Sequence, residues 1–228
     1  MTMSYLSYDL HDGFISNWLE VGPESKPIAE LKPPLDEAAL RDLAQRFHQE
    51  ASGVSVQPVE RGPLTEGLFK LGDYEDAWAY LRCPEDHYVT HTTYQPSPHY
   101  MRSWAYAELV SERAQTVTLE LAVFGPADLW LNGEHVIRHE GFSERVPQRV
   151  PVEVSLNEGA NPLLVRFEQV GFRARPLQMS AHIEPNGNEG GAVLVQIPTT
   201  IHDVAYRNKL EAFFAQAYLK QDIFYGEE

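Results

Sequence analysis

The sequence predicts a mainly β protein, an antiparallel β-sandwich with an N-terminal helical insert and a C-terminal helix. Three observations predict it. Between Ala77 and Ile197, apolar residues recur at every second position in segment after segment. Gly, Pro and Asn-Gly signals separate these segments at short intervals. Helical spacing is confined to about residues 36–50 and to the chain beyond His202. Strict alternation gives each strand one buried and one wetter face, as antiparallel sheets require, and many short strands divided by turns indicate a sandwich or barrel.

Taken in order, Phe14 to Pro23 reads as a strand ended by Gly22-Pro23. Pro33-Pro34 then precedes a helix with Asp36 as N-cap and Leu40, Leu43 and Phe47 on one face. Residues 51–75 are punctuated by Pro58, Gly62-Pro63, Gly67 and Gly72 and read as loop. Asp76 to Arg82 and Trp104 to Val110 read as strands. Val117, Leu119, Leu121 and Val123 alternate with polar or small residues, as do Val150, Val152, Val154 and Leu156. Both rows are expected to face one core, shared with Leu163. Leu163–Phe167, Leu177–Ile183 and Val193–Ile197 complete the strands, and Pro198 is expected to stop the last. Asn132-Gly133 fits a type I′ hairpin, which needs φ > 0 at both central residues.

Composition narrows the function classes. The 228 residues are 43% apolar, enough for a sizeable core. Thirty-three acidic against eighteen basic residues give a net charge of −15, which disfavours nucleic-acid backbones and anionic membrane surfaces. Cys83 is the single cysteine, so no internal disulfide forms. Met1 to Tyr5 has neither a basic nor an apolar leader region, and a cytoplasmic location is expected.

Residues Ala127-Asp128-Leu129-Trp130-Leu131-Asn132-Gly133, Gly141-Phe142, and the run from Val152 through Leu156-Asn157-Glu158-Gly159-Ala160-Asn161-Pro162-Leu163 to Phe167 resemble the galactose-binding-like jelly roll. That fold serves as an accessory domain in many large glycoside-hydrolase-type enzymes. The resemblance spans roughly Trp104 to Val170, and the opening Asn17-Trp18-Leu19-Glu20-Val21-Gly22-Pro23 is similar to the first strand of such modules. It implies a module that packs against and positions a catalytic domain.

No nucleophile, P-loop or dinucleotide motif is present, and no cofactor is expected. His87, His91 and His99, and His135 and His139, read as strand or loop, where a spacing of four leaves side chains roughly 13 Å apart. They are taken as surface or rim histidines, and no metal site is assigned. The candidate ligand-binding set is Tyr94, His99, Tyr100, Arg102 and Trp104 around the proline-rich loop Gln95 to Pro98. Sugar faces stack on aromatic rings while adjacent polar groups read hydroxyls. The opposing reading makes Trp104, Trp130 and Trp78 core residues, and it is the favoured one.

Residues 1–198 are therefore expected to form the sandwich module. Residues 199–228 are expected to be a linker and the start of a helix belonging to a following domain. Tyr206, Leu210, Phe213, Phe214 and Ala217 lie on one face of that helix, and the chain ends without a polar tail. Three functions stand open: a non-catalytic accessory module of a carbohydrate-active enzyme, a carbohydrate-binding module, and a self-contained hydrolase or lyase. They are favoured in that order, with the following domain of the same polypeptide and carbohydrate as the expected partners.

Overall fold

The computed structural model describes residues 3–28, 36–52, 67–92, 94–143, 145–173, 175–185 and 190–200, with Ala205, Asn208, Lys209 and Ala212 beyond them. It is mainly β, and its strands pair antiparallel. Strands are numbered along the chain. The larger, eight-stranded sheet runs β1 (Met3–Asp9), β14 (Val193–Thr200), β7 (Gln95–Ser111), β12 (Gly159–Arg173), β9 (Ala127–Leu131), β10 (Glu134–His139). Its other two strands are β2 (Asn17–Pro27), alongside β7, and β5 (Ala79–Arg82), alongside β2. The four-stranded sheet runs β11 (Gln148–Leu156), β8 (Gln115–Val123), β13 (Leu177–Pro185), β6 (Val89–His91). A separate hairpin joins β3 (Leu68–Leu71) to β4 (Tyr74–Ala77).

Alternation places the core as the sequence predicts. Val117, Leu119 and Leu121 of β8 are fully buried, and they pair with Val154, Val152 and Val150 of β11. Leu163, Val165 and Phe167 of β12 join the same apolar cluster from the larger sheet. The two sheets thus share one core. His91 of the smaller sheet stacks on Phe167 of the larger at a centroid distance of 6.2 Å.

The Asn132-Gly133 turn has φ of 52° and 85°, as the type I′ geometry demands. Asn161 explains why the turn before β12 carries its particular pattern. Its Oδ1 accepts from the Asn157 N–H at 2.8 Å and from Asn132 Nδ2 at 2.9 Å. Its Nδ2 donates toward the Leu109, Asn157 and Gly159 carbonyls at 2.9–3.1 Å. One buried amide therefore ties the hairpin, the preceding turn and β7 together.

The helix α1 (Glu37–Ser52) starts where expected, with the Ala39 N–H donating to Asp36 Oδ1 at 2.7 Å. Leu40, Leu43 and Ala44 are buried, and they pack with Ile28, Tyr100, Phe142 and Val170 on the outer face of the larger sheet.

Three proline signals are overridden. Gly22-Pro23 does not end β2; the strand bulges between Val21 and Glu24 and continues to Pro27. Proline is tolerated at a bulge because no ladder bond is required of it. Gln95 to Pro98 is not a loop but the start of β7, where pairing with β12 is interrupted between Gly171 and Arg173. Pro198 does not stop β14, because β14 pairs with β7 only over Val193–Gln196 and continues with β1 alone. Thr199 and Thr200 are strand and not linker. The strand read over Asp76 to Arg82 is split at Trp78 into β4 and β5.

The apolar stripe expected on a C-terminal helix lies outside the described residues. Ala205, Asn208, Lys209 and Ala212 are helical and exposed. No helix among the described residues is long and apolar enough to cross a membrane.

The hairpin geometry gives a direct test. Gly133→Val should cost more than about 1 kcal/mol, since a β-branched residue is strained at φ > 0. An unchanged thermal or urea midpoint would contradict the turn.

Candidate functional site

The chemistry-bearing side chains gather on the outer face of the larger sheet. Tyr100, Arg102, Trp104, Tyr106 and Glu108 occupy alternate positions of β7, and alternation puts them on one face. Val170, Glu168, Arg166 and Leu164 of β12 lie opposite the first four of these, and Asp128 of β9 lies opposite Arg166. On the other flank, Lys26, Glu24 and Val21 of β2 pair with Tyr100, Arg102 and Trp104.

This face is covered. Phe47 of α1 stacks on Tyr100 at 4.8 Å, and Phe69 and Tyr74 of the β3–β4 hairpin lie 4.6 and 6.1 Å from Trp104. Charges held under such a cover must be neutralised in place, because an unpaired buried charge is costly. Arg102 donates through Nε at 3.0 Å and Nη2 at 2.5 Å to Glu24 Oε2, and Lys26 reaches Glu24 Oε1 at 2.8 Å. Arg166 donates to Asp128 Oδ2 at 2.5 Å and lies 3.3 Å from Glu168 Oε1. His48, carried in by α1, lies with Nδ1 at 3.1 Å from Glu168 and Nε2 at 3.6 Å from Asp128. His135 and Arg138 complete the ring around Asp128 at 2.7 and 3.2 Å.

The electrostatics follow. Burial pushes Asp128 up, but the charges of Arg166 and His48 and the hydrogen bonds from Arg166 and His135 outweigh it, so its carboxyl lies below the usual range. Burial likewise opposes ionisation of Glu24, and Lys26 and Arg102 reverse the sign. Burial pushes the Tyr100 hydroxyl well above its ordinary value, and the Glu168 charge adds to the effect. Glu108 differs: burial raises its pKa against the opposing hydrogen bond from the Tyr106 hydroxyl at 3.0 Å.

The five residues singled out from the sequence are thus separated by burial. Tyr94 is 69% exposed. His99 is half-buried, with Nδ1 2.7 Å from the Ser97 carbonyl, and alternation turns it to the opposite face of β7. Tyr100 and Trp104 are 3% and 0% exposed. In this conformation their faces belong to the interior and offer no stacking platform, because α1 and the β3–β4 hairpin occupy the places a sugar ring would take. Arg102 borders a cleft of about 620 Å³ lined by Glu24, Ser25, Lys26, Asp73 and Tyr74, but its own guanidinium is engaged by Glu24.

Glu24, His48, Asp128, Arg166 and Glu168 carry the array and went unread in the sequence. For Asp128, Arg166 and Glu168 the signal was present: single charges inside otherwise apolar strands, such as Asp128 between Ala127 and Leu129. The histidines disperse to separate partners: His91 to Glu20 and Ser103 between the sheets, His139 to Gln148, His87 to Ser16. Among the described residues no group of three or more His, Cys, Asp or Glu is placed to hold a metal ion.

No protein-family model and no curated protein matches the sequence. Among solved structures, the β-glucosidase from Kluyveromyces marxianus is similar at 13% identity and a TM-score of 0.36, over 59% of this chain and 19% of that one. A family 35 carbohydrate-binding module from an environmental isolate is similar at 12% identity and a TM-score of 0.28, over 80% and 93%. The PA14 domain of the MpAFP antifreeze protein is similar at 9% identity and a TM-score of 0.35, over 87% and 93%. This chain spans less than a fifth of the length of the β-glucosidase chain. Likeness at this level assigns neither family nor function.

The lowered Asp128 value gives a pH test. Stability contributed by a carboxylate with a depressed native pKa is complete above its ordinary value of 3.8 and is lost as pH falls through the native one. Asp128→Asn should therefore cost about 3–5 kcal/mol at neutral pH. The cost should shrink as pH is lowered below that ordinary value, as read by denaturant titrations across pH. A cost independent of pH would contradict the assignment.

Proposed function

We propose that the chain is a non-catalytic β-sandwich module of the galactose-binding-like kind, acting as an accessory domain that positions the catalytic domain of a larger carbohydrate-active enzyme. One observation carries the non-catalytic half of this reading. The carboxylates gathered on the sheet, Glu24, Asp128 and Glu168, are buried against cations; Glu24, which borders the same cleft as Asp73, is engaged by Arg102 and Lys26, and Asp128 and Glu168 lie against Arg166. Glycoside hydrolysis needs two accessible carboxyl groups with divided roles. Glu108, the carboxyl pushed upward as a general acid would be, has a tyrosine for its partner.

The accessory half is supported by the sequence resemblance, whose residues fall on defined structural parts. The Trp-Leu-Asn-Gly run is the end of β9 and its hairpin, and the Gly159–Asn161 entry is the turn that Asn161 locks. In this reading residues 201–228 begin the neighbouring helical domain, and their apolar stripe is the contact with it.

The isolated chain should give no turnover of aryl glycosides. Hydrolysis abolished by Glu108→Gln or Glu24→Gln would overturn the reading. Truncation after Thr200, which spares β14, should leave the melting temperature unchanged and lower self-association. A collapsed melting temperature would place the helix in this module's own core.

A further inference from the structure

Among the described ionisable residues of α1, Glu37, Arg41, Asp42 and Arg46 are exposed, whereas His48 is fully buried. Its two ring nitrogens face carboxylates on two different strands. Nδ1 lies 3.1 Å from Glu168 Oε2 of β12, and Nε2 lies 3.6 Å from Asp128 Oδ2 of β9. A neutral imidazole has one N–H and one lone pair, so one of these contacts would set a lone pair against a carboxylate. Only the imidazolium offers an N–H to both.

The charges around it agree. Asp128 and Glu168 are buried, and Arg166 is the guanidinium buried between them. Two anions and one cation leave a negative charge under the helix, which is costly unless it is answered there. The other groups facing the cluster do not answer it from within. Arg138 and His135 reach Asp128 from β10 at the rim, with side chains 43% and 36% exposed. The Tyr100 hydroxyl of β7 faces Glu168 and is kept protonated by burial. Arg102 and Lys26 are taken by Glu24. The His48 charge is also one of the causes that hold the Asp128 carboxyl low.

The same residue bears on whether α1 stays in place, because the helix rests on the sheet by side chains. Leu40, Leu43, Ala44 and Phe47 meet Ile28, Tyr100, Phe142 and Val170, and Gln45 Nε2 donates to the Glu140 carbonyl at 3.2 Å. A helix of 16 residues is marginal alone in water, so α1 persists through its docking. Loss of the His48 proton leaves the cluster one positive charge short. Lifting α1 relieves this by letting water reach the carboxylates.

We propose that α1 is a pH-released cover, latched by the His48 imidazolium onto Asp128 and Glu168 and freed from the outer face of the larger sheet when that proton is lost, while the sandwich stays folded. Release uncovers the apolar patch of Tyr100, Phe142 and Val170. The latch is independent of the accessory role. Its sign is that of a cation stabilised by native partners: complete while the ring is protonated, lost as pH rises. On the acid side it holds down to the ordinary Asp128 value of 3.8, because the native carboxyl titrates below that.

The test is hydrogen exchange of the full chain at about pH 6 and about pH 9, corrected for intrinsic exchange rates. Protection of the α1 amides should fall at least about tenfold between the two, while β7 and β12 keep theirs. His48→Gln should give the low α1 protection at both pH values, and His135→Gln should keep the wild-type difference. Nitrogen NMR should show both His48 ring nitrogens protonated at about pH 6. If His48→Gln fails to fold, the wild-type exchange series and the ring signals decide. Equal α1 protection at both pH values, a loss shared by β7 and β12, a difference that survives His48→Gln, or a neutral His48 ring at the lower pH would overturn the proposal.

Discussion

The fold turns on one strand buried on both faces. The residues of β7 from Tyr100 to Leu109 are all less than a tenth exposed. On one side Met101, Ala105, Ala107 and Leu109 contribute to the core between the sheets, as alternation requires. On the other, Arg102 carries charge into the interior, while buried Glu108 accepts the Tyr106 hydroxyl. A strand in that position can hold charges only if its neighbours answer them. β2 answers with Glu24, and the next strands over supply the Arg166, Glu168 and Asp128 cluster. The cluster in turn fixes α1, because His48 sits between two of its carboxylates. Helix position and the pairing of charges across neighbouring strands are consequences of the same requirement.

Arginine, glutamate, tyrosine and tryptophan close together in sequence look like a binding surface. Here Trp104 packs against the Arg102 guanidinium at 4.9 Å and the hairpin aromatics, and the row is a packed layer.

How much of this was legible depended on whether the cause was local. Alternation in β8 and β11 is local, and the paired rows emerged at the expected residues. Asn132-Gly133 and the Asp36 cap are local backbone requirements and were legible for that reason. The favoured reading of Trp78, Trp104 and Trp130 as core residues holds, since all three are buried; which elements cover Tyr100 and Trp104 was not legible, since the cover comes from α1 and the β3–β4 hairpin, elements distant in sequence that read as insert and loop. Proline misled three times. Its missing N–H rules out a place inside a ladder, but not a bulge or a strand flank without a neighbour, and which of these applies depends on partners far along the chain.

The central claim is that the charges under the helix and hairpin are structural partners of one another. A double-mutant cycle on Glu24 and Arg102, each replaced by methionine, measures this most directly. The account expects a favourable coupling free energy of about 1–3 kcal/mol at neutral pH, with the double variant more stable than the additive sum of the single ones. A coupling near zero would mean that the two residues hold their places independently, and it would contradict the account.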